Sequence, residues 1–172
     1  GVGPYGSFNL TANLPGIVLQ PSDPEDENRA SIAAWIRFTG VASVRAPLAI
    51  DVTAPAWETG AGVPRDVAAI LCINMIHISP WAATLGLMLG AGALLPPGGV
   101  LYLYGAYKRG GAHTAPSNAS FDRSLRARDP DWGVRDLEAV TAAAENAGLA
   151  PESVIEMPAN NLSVILRRRA LC

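Results

Sequence analysis

The sequence is short of charge, of histidine and of cysteine. Charged residues fill only 16% of its 172 positions, apolar ones fill 49%, and the net charge is −2. So apolar a chain excludes a disordered segment and argues for one well-buried globular domain rather than two. The slight acidic excess supplies no global basic field, so nucleic acid is not an expected partner. The local clusters Arg123, Arg126, Arg128 and Arg167, Arg168, Arg169 read as solvated faces or strand-end anchors. Two cysteines, Cys72 and Cys172, make no disulfide framework. Cys72 lies in an apolar run and reads as a small core hydrophobe, and an intracellular reducing compartment, cytoplasm or organelle, fits. Two histidines, His77 and His113, suggest no metal site. No apolar stretch reaches the length of a membrane span without a breaker. Residues 67–95 come nearest, and His77, Ser79, Pro80 and Trp81 cut them in the middle. A serine nucleophile elbow, a P-loop and a paired-cysteine zinc pattern are all missing.

What is present alternates between strand and helix patterns. IVLQPSD (residues 17–23) reads as a short strand ending in a polar turn. DENRASIAAWIRFTG has acids in front, Ile32, Trp35 and Ile36 at helical spacing, and Gly40 as a stop. Residues 44–53 read as a strand ending at Asp51, followed by a loop rich in Gly and Pro. VAAILCINMIHIS is an almost unbroken apolar run, as suits a central parallel strand buried on both faces. PWAATLGLMLGAGALL reads as a helix, and VLYLYGAY as another strand. A long polar loop over 111–118, a short helix over 121–128 and a helix over 135–147 closed by Gly148 come next. SVIEMP and NLSVILRRR close the chain, with a link so short that the last strand is expected to be antiparallel. The expected fold is α/β, with a mostly parallel sheet and right-handed crossovers.

Ligands of such a sheet bind outside the carboxyl ends of its strands. Asp23 ends the first strand there, and a carboxylate at that place takes two ribose hydroxyls; it is equally good capping sequence for the helix that follows. Asp51 could receive an adenine amine, or be a turn aspartate. Asn74, His77 and Ser79 interrupt a buried strand where it should emerge, and buried polar groups need partners. His77 is therefore a candidate base near neutral pH, against the alternative of a histidine satisfied by backbone. YGAYKRGGAHTAPSN is dense in polar and aromatic side chains and reads as a substrate cover. The alternating Arg and Asp of FDRSLRARDPDWGVRD read as an ion-pair network that packs this cover down, against the alternative of a site for an anionic substrate.

The blocks QPSD, CINMIHISPW, LLPPGGVLYLYG, HTAPSNASFD, SLRARDPDWGVRDLE and MPANN resemble the methyltransferase-like 26 family, S-adenosylmethionine-dependent methyltransferase-like proteins, over nearly the whole chain. The resemblance implies a class I methyltransferase, Rossmann-like sheet with its last strand antiparallel, in one domain over residues 1–172. It also bears on the opening GVGPYG, where Gly1, Gly3 and Gly6 spell G-x-G-x-x-G. In the family a strand and an acidic residue lead into a Gly-rich cofactor loop. Here no strand precedes Gly1, so the domain is expected to be N-terminally incomplete, its first strand missing from the sequence. The loop also departs from the family at Pro4 and Tyr5, and Ala106 stands where the family has Pro.

The resemblance implies S-adenosylmethionine as cofactor. Gly1 and Gly3 would line its amino-acid end, Asp23 its ribose and Asp51 its adenine, and Asn74 to His77 would lie beside the sulfonium. His77 or His113 would be the base. Tyr104, Tyr107, Ser117 and Asn118 would shape a pocket for a small-molecule acceptor, with Asn160 closing over it. A rival reading keeps the fold, lets the cofactor loop decay and makes the chain an inactive subunit or scaffold with protein partners. A nicotinamide-dependent oxidoreductase rests on G-x-G-x-x-G alone and is disfavoured by its context.

Overall fold

The computed structural model describes residues 16–170. They fall into two compact units, one running through Asp51 and taking in Thr59–Pro64, the other comprising Val52–Glu58 and the chain from Arg65 onward.

The first unit holds helix α1 (Asp26–Thr39), with Asp26 and Glu27 in its first turn, where acids meet the positive end of the helix dipole. Gly40 ends it in the left-handed conformation, its N–H donating to Ile36 O at 3.0 Å. The two strands expected over 17–23 and 44–53 shrink to isolated parallel bridges, Leu19 with Val44 and Ser22 with Leu48. Proline is the physical reason: Pro21 and Pro47 lack the N–H that a ladder needs, although the Pro21 carbonyl still accepts from Leu48 N–H at 3.0 Å.

The second unit is built on a four-stranded sheet of order β1-β2-β7-β6, from β1 (Ala69–Ile73), β2 (Val100–Gly105), β6 (Leu149–Met157) and β7 (Asn161–Arg168). β1 and β2 are parallel, with Ala69 opposite Val100. The last strand, β7, runs antiparallel to both β2 and β6, as expected. β6 and β7 form a hairpin whose tip, Pro158–Asn160, puts Ala159 (φ 60°) and Asn160 (φ 59°) in the left-handed region. Among the described residues β1 ends the sheet order, and only Cys72 of it is fully buried, so the run expected to be central and covered on both faces is a half-covered strand. After Ile73 the apolar run leaves the sheet in a 3-10 turn, Met75–His77.

Helix α2 (Trp81–Leu94) and helix α4 (Leu137–Asn146) cover the sheet. Leu87, Met88 and Ala91 of α2 and Val140 and Ala144 of α4 share a core with Leu101, Leu103, Val164 and Leu166. Each of these four strand side chains is fully buried and contributes about 2 kcal/mol. Asp136 caps α4 by accepting from Ala139 N–H, which shortens the helix expected over 135–147.

The expected cover loop is mostly ordered structure. VLYLYGAY breaks at Ala106 into β2 and β3 (Tyr107–Arg109). β3 pairs antiparallel with β4 (Ala112–His113) and parallel with β5 (Arg135–Asp136). Ser117 and Asn118 are then the first turn of helix α3 (Pro116–Arg128), which starts earlier than residue 121 because Pro116 is preset for an N-terminal turn.

Candidate functional site

The carboxyl end of β1 delivers a rigid polar turn. Asn74 takes the left-handed conformation (φ 57°), donates its backbone N–H to Tyr104 O at 2.8 Å and accepts His77 N–H at 3.0 Å. The turn is held from outside by Arg135, on β5. Its Nε donates to Ile76 O at 2.9 Å and its Nη2 to Ser79 O at 2.6 Å and Asp131 O at 2.9 Å, while the guanidinium lies 5.7 Å from the centre of the Trp81 ring. Gly133 N–H donates to His77 O at 2.9 Å.

His77 itself is fully buried. Burial, and after it the nearby Arg135 guanidinium, bring its pKa down to about 4, so the ring is neutral at neutral pH. Its Nδ1 lies 3.4 Å from the Arg135 backbone N, a contact that favours the ring proton on Nε2, while a Gly133 backbone hydrogen bond favours the protonated ring and is outweighed by burial. That Nε2 has no hydrogen-bond partner among the described residues. Gly105, at the end of β2, makes room for it: a Cβ there would lie 2.5 Å from His77 Nε2 and 2.7 Å from Asn74 Oδ1. The Tyr107 ring stands edge-on to the imidazole at 5.1 Å. Tyr107 is fully buried, and burial pushes its hydroxyl well above the usual tyrosine value, so it supports His77 from the core side. Burial likewise pushes the Cys72 thiol up to about 11, which makes it an inert core group.

The second cluster centres on Asp122 of α3, a residue that the sequence reading placed within an ion-pair network packing down the cover. Its Oδ1 accepts Val134 N–H at 2.7 Å and its Oδ2 the Arg126 Nε at 3.2 Å. Lys108 Nζ lies 3.7 Å and His113 Nε2 3.5 Å from the same Oδ2. Burial alone would raise this carboxyl's pKa, but the Val134 N–H and the Arg126 and Lys108 charges outweigh it and hold the group below its ordinary value. His113 Nδ1 is buried without a partner among the described residues.

A third set of contacts ties the start of α3 to the β6–β7 tip. Asn118 is buried and donates from Nδ2 to Thr114 Oγ1 at 3.1 Å and to Asn160 O at 2.9 Å. Asn160 Nδ2 donates to Ser117 Oγ at 3.1 Å, and Asn161 Nδ2 to the Tyr104 hydroxyl at 3.1 Å. The structure thus brings Ser117, Asn118 and Asn160 together, sets Tyr104 beside Asn161, and sends Tyr107 inward.

In the first unit, Asp23 Oδ1 accepts Glu25 N–H at 2.9 Å and Asn28 Nδ2 at 3.0 Å. The capping role is therefore present, and both bonds fall on one oxygen, which leaves Oδ2 to a ligand donor. Asp51 is exposed. Gly1 and Gly3 lie outside the described residues. Among the described residues no three His, Cys, Asp or Glu side chains gather as a metal site, and no helix is long and apolar enough to cross a membrane. The sequence reading gave Asp122 and Arg135 a place only in an ion-pair network and gave Gly105 no role of its own. The alternating Arg and Asp of 122–136 were the available signal for the first two; for Gly105, glycine at a strand's end was.

The family model described as "Protein of unknown function (DUF938)" matches residues 1–168, and the chain belongs to that family. Solved structures give the fold. An O-methyltransferase family protein from Burkholderia thailandensis superposes with a TM-score of 0.81 at 15% identity, over 98% of this chain and 49% of its own. The mitomycin 7-O-methyltransferase MmcR gives 0.80 at 17%, over 98% and 47%. Human N-acetylserotonin methyltransferase, in complex with S-adenosylmethionine, gives 0.80 at 11%, over 99% and 46%. The chain spans about half the length of these proteins. Its fold is that of the S-adenosylmethionine-dependent methyltransferases, an α/β fold, as expected from the sequence.

Proposed function

We propose that this chain binds S-adenosylmethionine and serves methyl transfer to a small-molecule acceptor, as a member of the methyltransferase-like 26 group that its sequence blocks resemble. One observation carries the reading. On a methyltransferase fold, a buried imidazole ends in an unpartnered Nε2 at a carboxyl strand end, beside the Asn74 amide oxygen and over a glycine that leaves space for it. An orphaned buried donor is costly unless something meets it.

The chain's own residues fit the cofactor chemically. Taken singly, the carboxylates of Asp23 and Asp51 would suit ribose hydroxyls and an adenine amine, and the polar groups of Asn74 and His77 would suit the sulfonium end. The cofactor, when bound, supplies an electrophilic methyl group. The protein's work is then to position the acceptor in line and to remove its proton if it is neutral. Tyr104, Ser117, Asn118 and Asn160 shape the acceptor pocket from the hydrogen-bonded α3 and hairpin side, with Tyr107 behind. Of the two histidines expected for the proton, buried His77 is held neutral with a pKa of about 4 and is a poor base, so His113 would be the group to take it. The low net charge favours a small acceptor over nucleic acid.

Calorimetry with S-adenosylmethionine and S-adenosylhomocysteine tests the reading, on the chain and on Asp23→Ala. Binding that the substitution weakens at least about tenfold, the value of one charge-assisted bond pair, supports it. No binding by a folded chain overturns it and favours an inactive subunit held by protein partners.

A further inference from the structure

The two histidines differ in which nitrogen the fold leaves over. On His77 it is Nε2, because Nδ1 is taken by the Arg135 backbone N–H. On His113 it is Nδ1, because Nε2 faces the Asp122 carboxylate at 3.5 Å. A nitrogen facing a carboxylate oxygen is favourable as N–H and repulsive as a lone pair, so Asp122 sets the His113 proton on Nε2.

We propose that Asp122 is a positioning residue which orients His113 as the proton acceptor of the site, Nδ1 forward, while His77 presents Nε2–H and acts as a hydrogen-bond donor. This rests on the methyltransferase reading above and assigns the parts that it leaves open. In the step assigned to His113 the acceptor's X–H bond breaks. The proton passes to Nδ1, and the bonding pair stays on X as the nucleophilic lone pair. The imidazolium charge so formed is offset by Asp122.

The geometry suits that task. Asp122 is itself fixed, by the Val134 N–H at 2.7 Å and the Arg126 Nε at 3.2 Å, so it cannot swing away from the ring. The groups that face the His113–Asp122 pair are Lys108 from β3, Arg126 from α3 itself and, through its charge, Arg135 from β5. All three are cations, so Asp122 is the one anion among these partners of the pair. The two free nitrogens are each enclosed, one carrying a proton and the other a lone pair. An acceptor hydroxyl needs both, a donor toward its oxygen and a base for its proton.

The test is the tautomer of each ring, read from imidazole ¹⁵N shifts of the full chain at neutral pH with neither cofactor nor acceptor present. Failure of the cofactor calorimetry therefore leaves this result standing, and the reverse. Expected is at least about a tenfold excess of Nε2–H on both rings, as a carboxylate-facing N–H and a backbone-donor contact each impose. In Asp122→Asn the His113 excess is lost or reversed, while His77 keeps its signature. Asp122→Glu restores the His113 excess, and Lys108→Met leaves it in place, which separates the carboxylate from general disturbance of the cluster. His113 as Nδ1–H or as an even mixture in the unaltered chain overturns the proposal, whether or not Asp122→Asn folds. An unchanged His113 in a folded Asp122→Asn overturns it too.

Discussion

The turn after β1 and the hairpin after β2 each enclose a histidine, and they do so by opposite means. His77 is wrapped in backbone and ring: two carbonyls of its turn are gripped by Arg135, its own carbonyl takes Gly133 N–H, and Tyr107 stands edge-on to it. His113 is wrapped in charge, with Asp122 at 3.5 Å and Lys108 sharing the same carboxylate oxygen. Burial, with the Arg135 cation beside it, forbids a charge and so fixes a protonation state. An anionic neighbour fixes an orientation instead. The same residue type, a few residues beyond adjacent strand ends, is thereby given two chemical characters, and the difference comes from partners far away in sequence.

Acid is the strongest way to break the comparison. His77 is held neutral in the fold with a pKa of about 4, against an ordinary 6.5. Between those values the unfolded chain takes up a proton that the folded one refuses. Stability contributed by neutral His77 is therefore complete above pH 6.5 and is lost progressively down to pH 4, by about 3 kcal/mol. Asp122, whose pKa is lowered from 3.8, adds its own loss only below that value. Urea unfolding at a series of pH values should show the fall between 6.5 and 4, and His77→Asn should flatten it. A slope that survives the substitution would mean that burial is not what sets His77 apart.

Gly105 offers a steric version. A methyl group there meets the His77 ring and the Asn74 side chain inside normal contact distance. Gly105→Ala is expected to cost about 2 kcal/mol, the range of overpacked buried sites. It should displace the His77 resonances and leave those of His113, which is not among the nearest neighbours of that methyl, in place. Equal disturbance of both rings would show that the two ends form one mechanical unit.

The contrast also marks what the sequence could and could not say. INMIHISPW announced its buried polar turn, because polar residues break an apolar run only where partners wait. The β6–β7 hairpin was legible from the short link around Ala159 and Asn160, and α2 from its apolar length. The strands over 17–23 and 44–53 were overread, since prolines that punctuate a pattern also remove ladder donors. HTAPSN was read as part of a cover loop because the stretch is long and dense in polar side chains after a strand. Pro116 instead starts a helix, and Asn118, a residue that competes with helix backbone, spends its amide on tertiary partners. Asp122 and Arg135 were read as an ion-pair network without individual roles, because charge patterns look alike in sequence whether they end in water or in a buried cluster.

Asn118 tests the smallest part of the comparison, whether the charged end needs the strap beside it. Its amide is 3% exposed and joins Thr114, the residue after His113, to the hairpin tip through the Asn160 carbonyl. Asn118→Ala removes both bonds and leaves those oxygens to find water, which their partly exposed positions allow. The expected cost is therefore about 1 kcal/mol rather than the larger penalty of a buried orphan. The loss should show as faster hydrogen exchange at the Pro158–Asn160 tip and the first turn of α3, with the β1 turn still protected. Since His113 Nε2 faces Asp122 and not Asn118, the His113 tautomer should persist in this variant. If it is scrambled, the strap and the carboxylate orient the ring together, and the charged end is no more self-sufficient than the buried one.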